Sequence, residues 1–318
     1  MKQRDAVLDL IRAIAVWAVV IVHSIENYSS FKSDLLYLFG RTGVPLFIML
    51  TGATMVSRDY TSFDNLKNHF IRLFKIYAAS VFWLFVYRFN SDSILTNLRL
   101  SLGLYYSANH FWFLILLFVL YLTLPFASYL NKSSTKAVFL QWLAIFFLTF
   151  AHTHSFINLG NGYFYAYVYL LWGYLCYSRR IQEKVPTPVI ALVFVLTVVF
   201  SMVQVKSGII NSLYEDNGIF IWWYNSTVVM LPSLVLFPLL LRLKPKHNAV
   251  IEEFSCCSFG IYVVHMLVLI SLNTYIEKLN ISNGTVGGLL LCVATLGISF
   301  FISFVVGKIP YLKNFILR

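Results

Sequence analysis

Charge is what this sequence has least of. Asp, Glu, Lys and Arg together supply 12% of its 318 residues, where a soluble globular chain carries about 25%. Acid is the scarcer sign, with 13 acidic residues against 24 basic ones. No polar stretch is long enough to form a soluble domain; the longest, about 90–109, reads as a connection. There are only four cysteines, Cys176, Cys256, Cys257 and Cys292. All lie in apolar segments, with no CxxC pair and no secreted-type spacing, so neither a disulfide framework nor a zinc site is indicated and packing is their expected role. HExxH, GxSxG, phosphate-loop and dinucleotide fingerprints are missing too. The nearest thing to a metal motif, His152-Thr-His154, has no Asp, Glu or Cys close by, and no metal is expected.

What is present is apolar. Hydrophobic residues make up 59% of the chain, Phe and Tyr number 29 and 20, and mean hydropathy is +0.75. A membrane-crossing helix needs about 20 mostly apolar residues. On that basis ten candidates stand out, at about 7–26, 35–57, 71–89, 110–130, 135–152, 162–178, 187–206, 219–241, 256–276 and 285–307. Barrel strands would instead alternate over about ten residues. The expected fold is therefore all-α, a polytopic membrane helix bundle of about ten spans forming one domain over 1–318. Lys2 and Arg4 before the apolar run Ala13–Val22 resemble a signal peptide. However, His23-Ser24-Ile25-Glu26 is no small-residue cleavage site, so the run is read as a retained first helix.

A formal net charge of +11 would suggest nucleic acid in a soluble protein. Here the basic residues follow the connections. With the N-terminus in the cytoplasm, the inner side collects Lys2, Arg4, Arg12, Arg58, Lys67, Arg72, Lys75, Lys132, Lys136, Arg179, Arg180, Lys184, Arg242, Lys244, Lys246, Lys308, Lys313 and Arg318, which is 18 of the 24. The remaining six are Lys32, Arg41, Arg88, Arg99, Lys206 and Lys278. This alternation is the positive-inside pattern, and it expects both termini in the cytoplasm and no nucleic-acid partner.

In such a protein the informative residues are polar ones at membrane depth, where an ionisable group costs about 2.5–3.5 kcal/mol on insertion scales. On the first candidate helix, Arg12 and His23 are eleven residues apart, so they point about 20° from each other, with Asp9 about 60° from Arg12 on the same side. Asp9, Arg12 and His23 thus form one stripe, with Arg12 near the cytoplasmic boundary and His23 about 16 Å further along. Two readings stand. Asp9 and Arg12 form an i,i+3 ion pair with Arg12 snorkelling and His23 is a hydrogen-bonded interior histidine, or the stripe lines a polar path. Gly43, Pro45 and Gly52 imply a kink and a close approach in the second span. Arg41, near its outer end, is either a snorkelling residue or a ligand. Arg72 and Lys75 at the inner end of the third span read as retention charge or as a phosphate clamp. His110-Phe-Trp112 reads as an aromatic belt. Ser258, Tyr262 and His265, at steps of four and three, form a second polar stripe. His69 and His247 are read as solvated loop residues.

These elements resemble the acyltransferase-3 family of bacterial membrane acyltransferases, which acylate cell-surface carbohydrates. The resemblance is carried by Asp9-Leu-Ile-Arg12 with His23, by Gly43-Val-Pro45-Leu-Phe47 with Thr51-Gly52, by Trp112-Phe-Leu with Tyr121 and Pro125, and by Ser258-Phe-Gly260-Ile-Tyr262-Val-Val-His265. Thr51 stands where the family often has Ser. Arg72 and Lys75 stand where it has two arginines, and Lys75 keeps the charge without the bidentate fork. There is no appended hydrolase-like domain, so the likeness is to the stand-alone O-acetyltransferase type. The resemblance implies a multi-pass protein of the bacterial cytoplasmic membrane that moves an acetyl or similar acyl group from acetyl-CoA to a polysaccharide or lipid-linked sugar. It implies His23 as base or transient acyl carrier, aided by Arg12 and Asp9, with Arg72 and Lys75 on the donor phosphates. Arg41, Trp112, Tyr262 and His265 are expected on the substrate, and polysaccharide-assembly proteins as partners. A transporter or flippase for a lipid-linked saccharide is the rival reading. It expects internal repeats, and none is found.

An alkaline-phosphatase reporter fused after Arg318 tests the topology. It is expected to be inactive in cells, whereas activity there would contradict an even number of spans.

Overall fold

A computed structural model describes residues 4–25, 30–58, 112–153, 164–207, 222–278 and 285–309, with Lys67, Phe70, Ile71, Phe74, Lys75, Ala78 and Val81. Its α-helices among these residues are α1 (Ala6–Ser24), α2 (Phe31–Arg41), α3 (Gly43–Met55), α4 (Trp112–Ser128), α5 (Thr135–Thr153), α6 (Phe164–Tyr177), α7 (Thr187–Ser207), α8 (Thr227–Leu241), α9 (Ala249–Lys278) and α10 (Thr285–Lys308). The all-α membrane bundle is thereby established. Among the described residues six units are long and apolar enough to cross a bilayer: α1, the α2–α3 unit, α5, α7, Ala249–Tyr275 of α9, and α10. The outward faces of α7 and α10 carry bare Leu192, Leu196, Val203, Leu290, Val293 and Phe301, a surface suited to lipid rather than water. Of the third candidate, 71–89, only Ile71, Phe74, Lys75, Ala78 and Val81 are among the described residues, and all five are helical.

The departures from the expected boundaries have local causes. The second candidate is two helices. Pro45 has no N–H to offer the Arg41 carbonyl, so α2 stops at Arg41 and Thr42 turns the chain, its N–H donating to Phe39 O (3.0 Å) and its Oγ1 to the same oxygen (2.7 Å). Of the eighth candidate, 219–241, the described residues 222–226 are not helical, and α8 begins at Thr227. Ser226 is its N-cap and accepts from Val228 N–H at 3.2 Å, as a serine at that position favours. The ninth begins earlier than 256. Asn248 Oδ1 accepts from the N–H groups of Val250 (2.9 Å) and Ile251 (3.3 Å), which carries the helix across Glu252 and Glu253 into water.

Packing centres on α1, which touches α2, α3, α9 and α10, while α3 lies against α6, α9 against α10, and α8 against α7. The α3–α6 crossing is very close. A Cβ on Gly52 would stand 1.9 Å from the Leu170 carbonyl oxygen, and one on Gly173 would stand 2.0 Å from that of Met49. Small residues that let backbones approach in this way are how helices associate where lipid removes the hydrophobic drive.

Side-chain contacts sort the helix ends into two sets. At one end Tyr177 donates to Asp5 (2.7 Å), Asn131 Nδ2 to Val56 O (3.0 Å), and Arg179 to the carbonyls of Leu130, Asn131 and Ser133 (3.0 Å each). At the other, Lys206 pairs with buried Asp34 at 2.6 Å and Thr153 donates to Asn225 O at 3.2 Å. These contacts gather the start of α1 and the ends of α3, α4 and α6 at one side, and the starts of α2 and α8 with the ends of α5 and α7 at the other. Arg179 and Arg242, counted from the sequence as retention charges, also staple the structure. Arg242 donates to the Gln182 and Val185 carbonyls.

Gly52→Ala and Gly173→Ala should each lower the stability of the solubilised protein by about 1–3 kcal/mol, the range for overpacking. Gly297→Ala, with nothing within 4 Å of its Cβ position, should be neutral. Thermal unfolding in detergent measures all three, and equal loss at Gly52 and Gly297 would contradict the crossing.

Candidate active site

The site is built on α1 and α9, which run side by side in the same direction. At one end stands the carboxylate of Asp9, only 3% exposed. Its Oδ1 accepts from Arg12 Nη1 (3.0 Å), Arg4 Nη2 (2.6 Å) and Ser255 Oγ (2.7 Å), and Arg4 Nε donates to Oδ2 at 3.1 Å. Arg12 Nη1 also donates to Ser255 Oγ at 2.9 Å. Of the two readings of Asp9 and Arg12, the ion pair is realised, and it is enlarged into a four-residue cluster joining both helices. Charge-assisted bonds of this number offset the desolvation of a buried carboxylate. The bond to Asp9 raises the pKa of Arg4 above its ordinary value, so Arg4 stays charged at any working pH. Arg12 keeps 28% of its side chain exposed.

Eleven residues beyond Arg12, the stripe on α1 meets α9 again. The rings of His23 and His265 are 5.4 Å apart between centroids, inclined at 44°. His265 is fully buried, its ring 5.7 Å from that of Tyr262, and Tyr262 in turn packs edge-on to Phe113 at 5.5 Å. Ser255 and His265 are ten residues apart on α9, about 15 Å, against about 16 Å for Arg12 and His23 on α1. The two helices thus match a polar contact at each end with aliphatic packing between. His23 is half-buried.

Arg41 ends α2 at the helix break. Its guanidinium lies over the rings of Tyr37 (5.0 Å) and Tyr224 (5.5 Å) and donates to both hydroxyls, at 2.7 and 3.4 Å. Trp112 stacks on Tyr224 with centroids 5.2 Å apart, and Tyr165 stacks on Tyr224 at 6.3 Å. This chain of rings links Arg41 and Trp112 to Phe113, Tyr262, His265 and His23, so the four residues expected on the substrate and the histidine expected at the chemistry share one end of the bundle. Thr51 Oγ1 donates to its own helix at Phe47 O, 3.0 Å.

Arg72 lies outside the described residues. Lys75 is described as helical and half-buried. Among the described residues no three His, Cys, Asp or Glu side chains stand together as a metal site.

Sequence reasoning missed Arg4, Ser255, Tyr37 and Tyr224. Ser255 was within reach, because it precedes Ser258 by three residues and extends the stripe to a 3-4-3 spacing. Arg4, Tyr37 and Tyr224 carry no comparable signal, since a terminal arginine and aromatics among many in an apolar chain acquire meaning only from their partners.

The comparison with known families bears directly on this arrangement. Residues 5–304 match a family model described as an acyltransferase domain. No curated protein and no solved structure matches the chain.

Asp9→Asn removes the charge that Arg4 and Arg12 share and should destabilise the solubilised protein by about 1–3 kcal/mol. Ser255→Ala should do the same to a smaller extent. Melting temperatures in detergent provide the check, and an unchanged value for Asp9→Asn would contradict the cluster's role in joining α1 to α9.

Proposed function

Since the chain belongs to this acyltransferase family, we propose that it transfers an acetyl or similar short acyl group from acyl-CoA to a hydroxyl of a cell-surface polysaccharide or lipid-linked sugar. It would do so in the bacterial cytoplasmic membrane, with both termini in the cytoplasm. The observation that carries this reading is the paired polarity of α1 and α9, with guanidinium groups at one end and a histidine pair at the other. The donor is anionic at its nucleotide and reactive at the tip of a long flexible thiol arm. A cationic mouth and a base about 16 Å away suit the two ends of that molecule. The basic residues gathered at the Arg12 end support its facing the cytosol.

In this mechanism Arg12, with Arg72 and Lys75, holds the donor phosphates, and Asp9 orients Arg12. The thioester reaches the His23 end along the α1–α9 seam. The acceptor hydroxyl attacks the thioester carbon while His23 takes its proton. A C–O bond forms, the C–S bond breaks, and the proton passes from His23 to the departing thiolate. The cage around Arg41, with Trp112 and Tyr262, bounds the acceptor side. Polysaccharide-assembly proteins would supply or receive the modified sugar.

His23→Gln keeps a hydrogen-bonding side chain but no base. Acylation should fall by at least about 10²-fold while the protein accumulates at parent level, measured by mass spectrometry of surface polysaccharide from cells carrying each form. Near-parent acylation by His23→Gln would overturn the catalytic assignment. Absence of any acylated product from the parent would overturn the reading as a whole.

A further inference from the structure

The geometry points to His265 as a positioning residue that fixes the tautomer of His23, an inference that rests on His23 being the base. His265 Nδ1 lies 2.6 Å from the backbone carbonyl of Tyr262. A carbonyl oxygen only accepts, so Nδ1 carries the ring proton and donates it. A neutral imidazole protonated at Nδ1 has its lone pair on Nε2. Nε2 is buried and belongs to a ring whose centroid is 5.4 Å from that of His23. His265 can therefore accept an N–H from His23, directly or through one bridging hydroxyl. An N–H committed to His265 leaves the lone pair of the other His23 nitrogen for the acceptor hydroxyl.

During transfer the hydroxyl proton moves to that lone pair and makes His23 an imidazolium. Its second N–H still points at the Nε2 lone pair of His265, which stabilises the cation by accepting from it. When the thiolate departs, the proton leaves His23 for sulfur and both rings return to their starting tautomers. No proton has to cross to His265, and no oxidant, metal or further reactant enters the balance. His265 thus serves as a neutral acceptor in the place where the Ser-His-Asp triad sets a carboxylate. The choice suits a membrane interior, where a second buried anion would be expensive.

The test uses the full chain, purified in nanodiscs, with radiolabelled acetyl-CoA and the polysaccharide fraction of cells lacking the gene. His265→Phe fills the space but accepts nothing. It should lower kcat about 10²-fold and leave KM for acetyl-CoA within about twofold. His265→Gln, whose amide oxygen reaches the position of Nε2, should recover to within about tenfold of the parent. His265→Asn, too short to reach it, replaces the Phe form if that fails to accumulate. A His265→Phe enzyme with parent-like kcat overturns the inference, and so does a His265→Gln enzyme as impaired as the Phe form. If His23→Gln is inactive while His265→Phe is active, only the positioning role fails. If His23→Gln is active, the base assignment itself has failed.

Discussion

A carboxylate buried in an apolar helix has to be satisfied by neighbours, and Asp9 decides which neighbour α1 takes. Its Oδ1 draws donors from Arg4, Arg12 and Ser255, one of them on α9. That bond fixes the register of α1 against α9. Because the helices run the same way, a register set at Asp9 and Ser255 sets the approach of His23 to His265 some 15 Å away. A slip of one turn, about 5.4 Å, would break the ion cluster and separate the rings together. The charged end and the histidine end are thus one mechanical unit, although no hydrogen bond runs between them.

The remaining helices hold that unit in place from behind. Gly43 lets α3 press on α1, since a Cβ there would meet Ala15 O at 2.6 Å, and Gly52 and Gly173 press α3 on α6. The break at Thr42, forced by Pro45, turns α2 so that Arg41 enters the cage of Tyr37 and Tyr224. Rings in that cage are mostly buried against each other, with Tyr37 and Tyr224 each 4% exposed. The cage therefore holds Arg41 rigidly instead of offering an open stacking platform, and it carries a fixed positive charge to the end where His23 stands.

The sequence made legible whatever has a period. Asp9, Arg12 and His23 share a face because 3.6 residues per turn say so, and all three do meet α9. The stripe on α9 and the kink near Pro45 are legible for the same kind of reason. Boundaries were harder. Hydropathy read Glu252 and Glu253 as a connection, whereas a helix capped by Asn248 runs through them into water. It also read Trp222–Tyr224 as part of a span, although the run Asn225-Ser226-Thr227 carries the signature of a helix start. Ser255 escaped because a serine in an apolar run is cheap and unremarked until its partner is known. Arg179 was read for its charge, and its work as a donor to three carbonyls has no local signature.

The account stands on a donor that lies along the α1–α9 seam with its phosphates at Arg12 and its acyl group at His23. A cryo-electron-microscopy structure of the full chain with a thioether analogue of acetyl-CoA, which cannot transfer its acyl group, tests this most directly. The account places the phosphates against Arg12 and the acyl carbonyl carbon within about 5 Å of the His23 ring, leaving room for a hydroxyl at attacking distance. An analogue bound with its phosphates at the His23 end, or with its arm outside the α1–α9 seam, would contradict it.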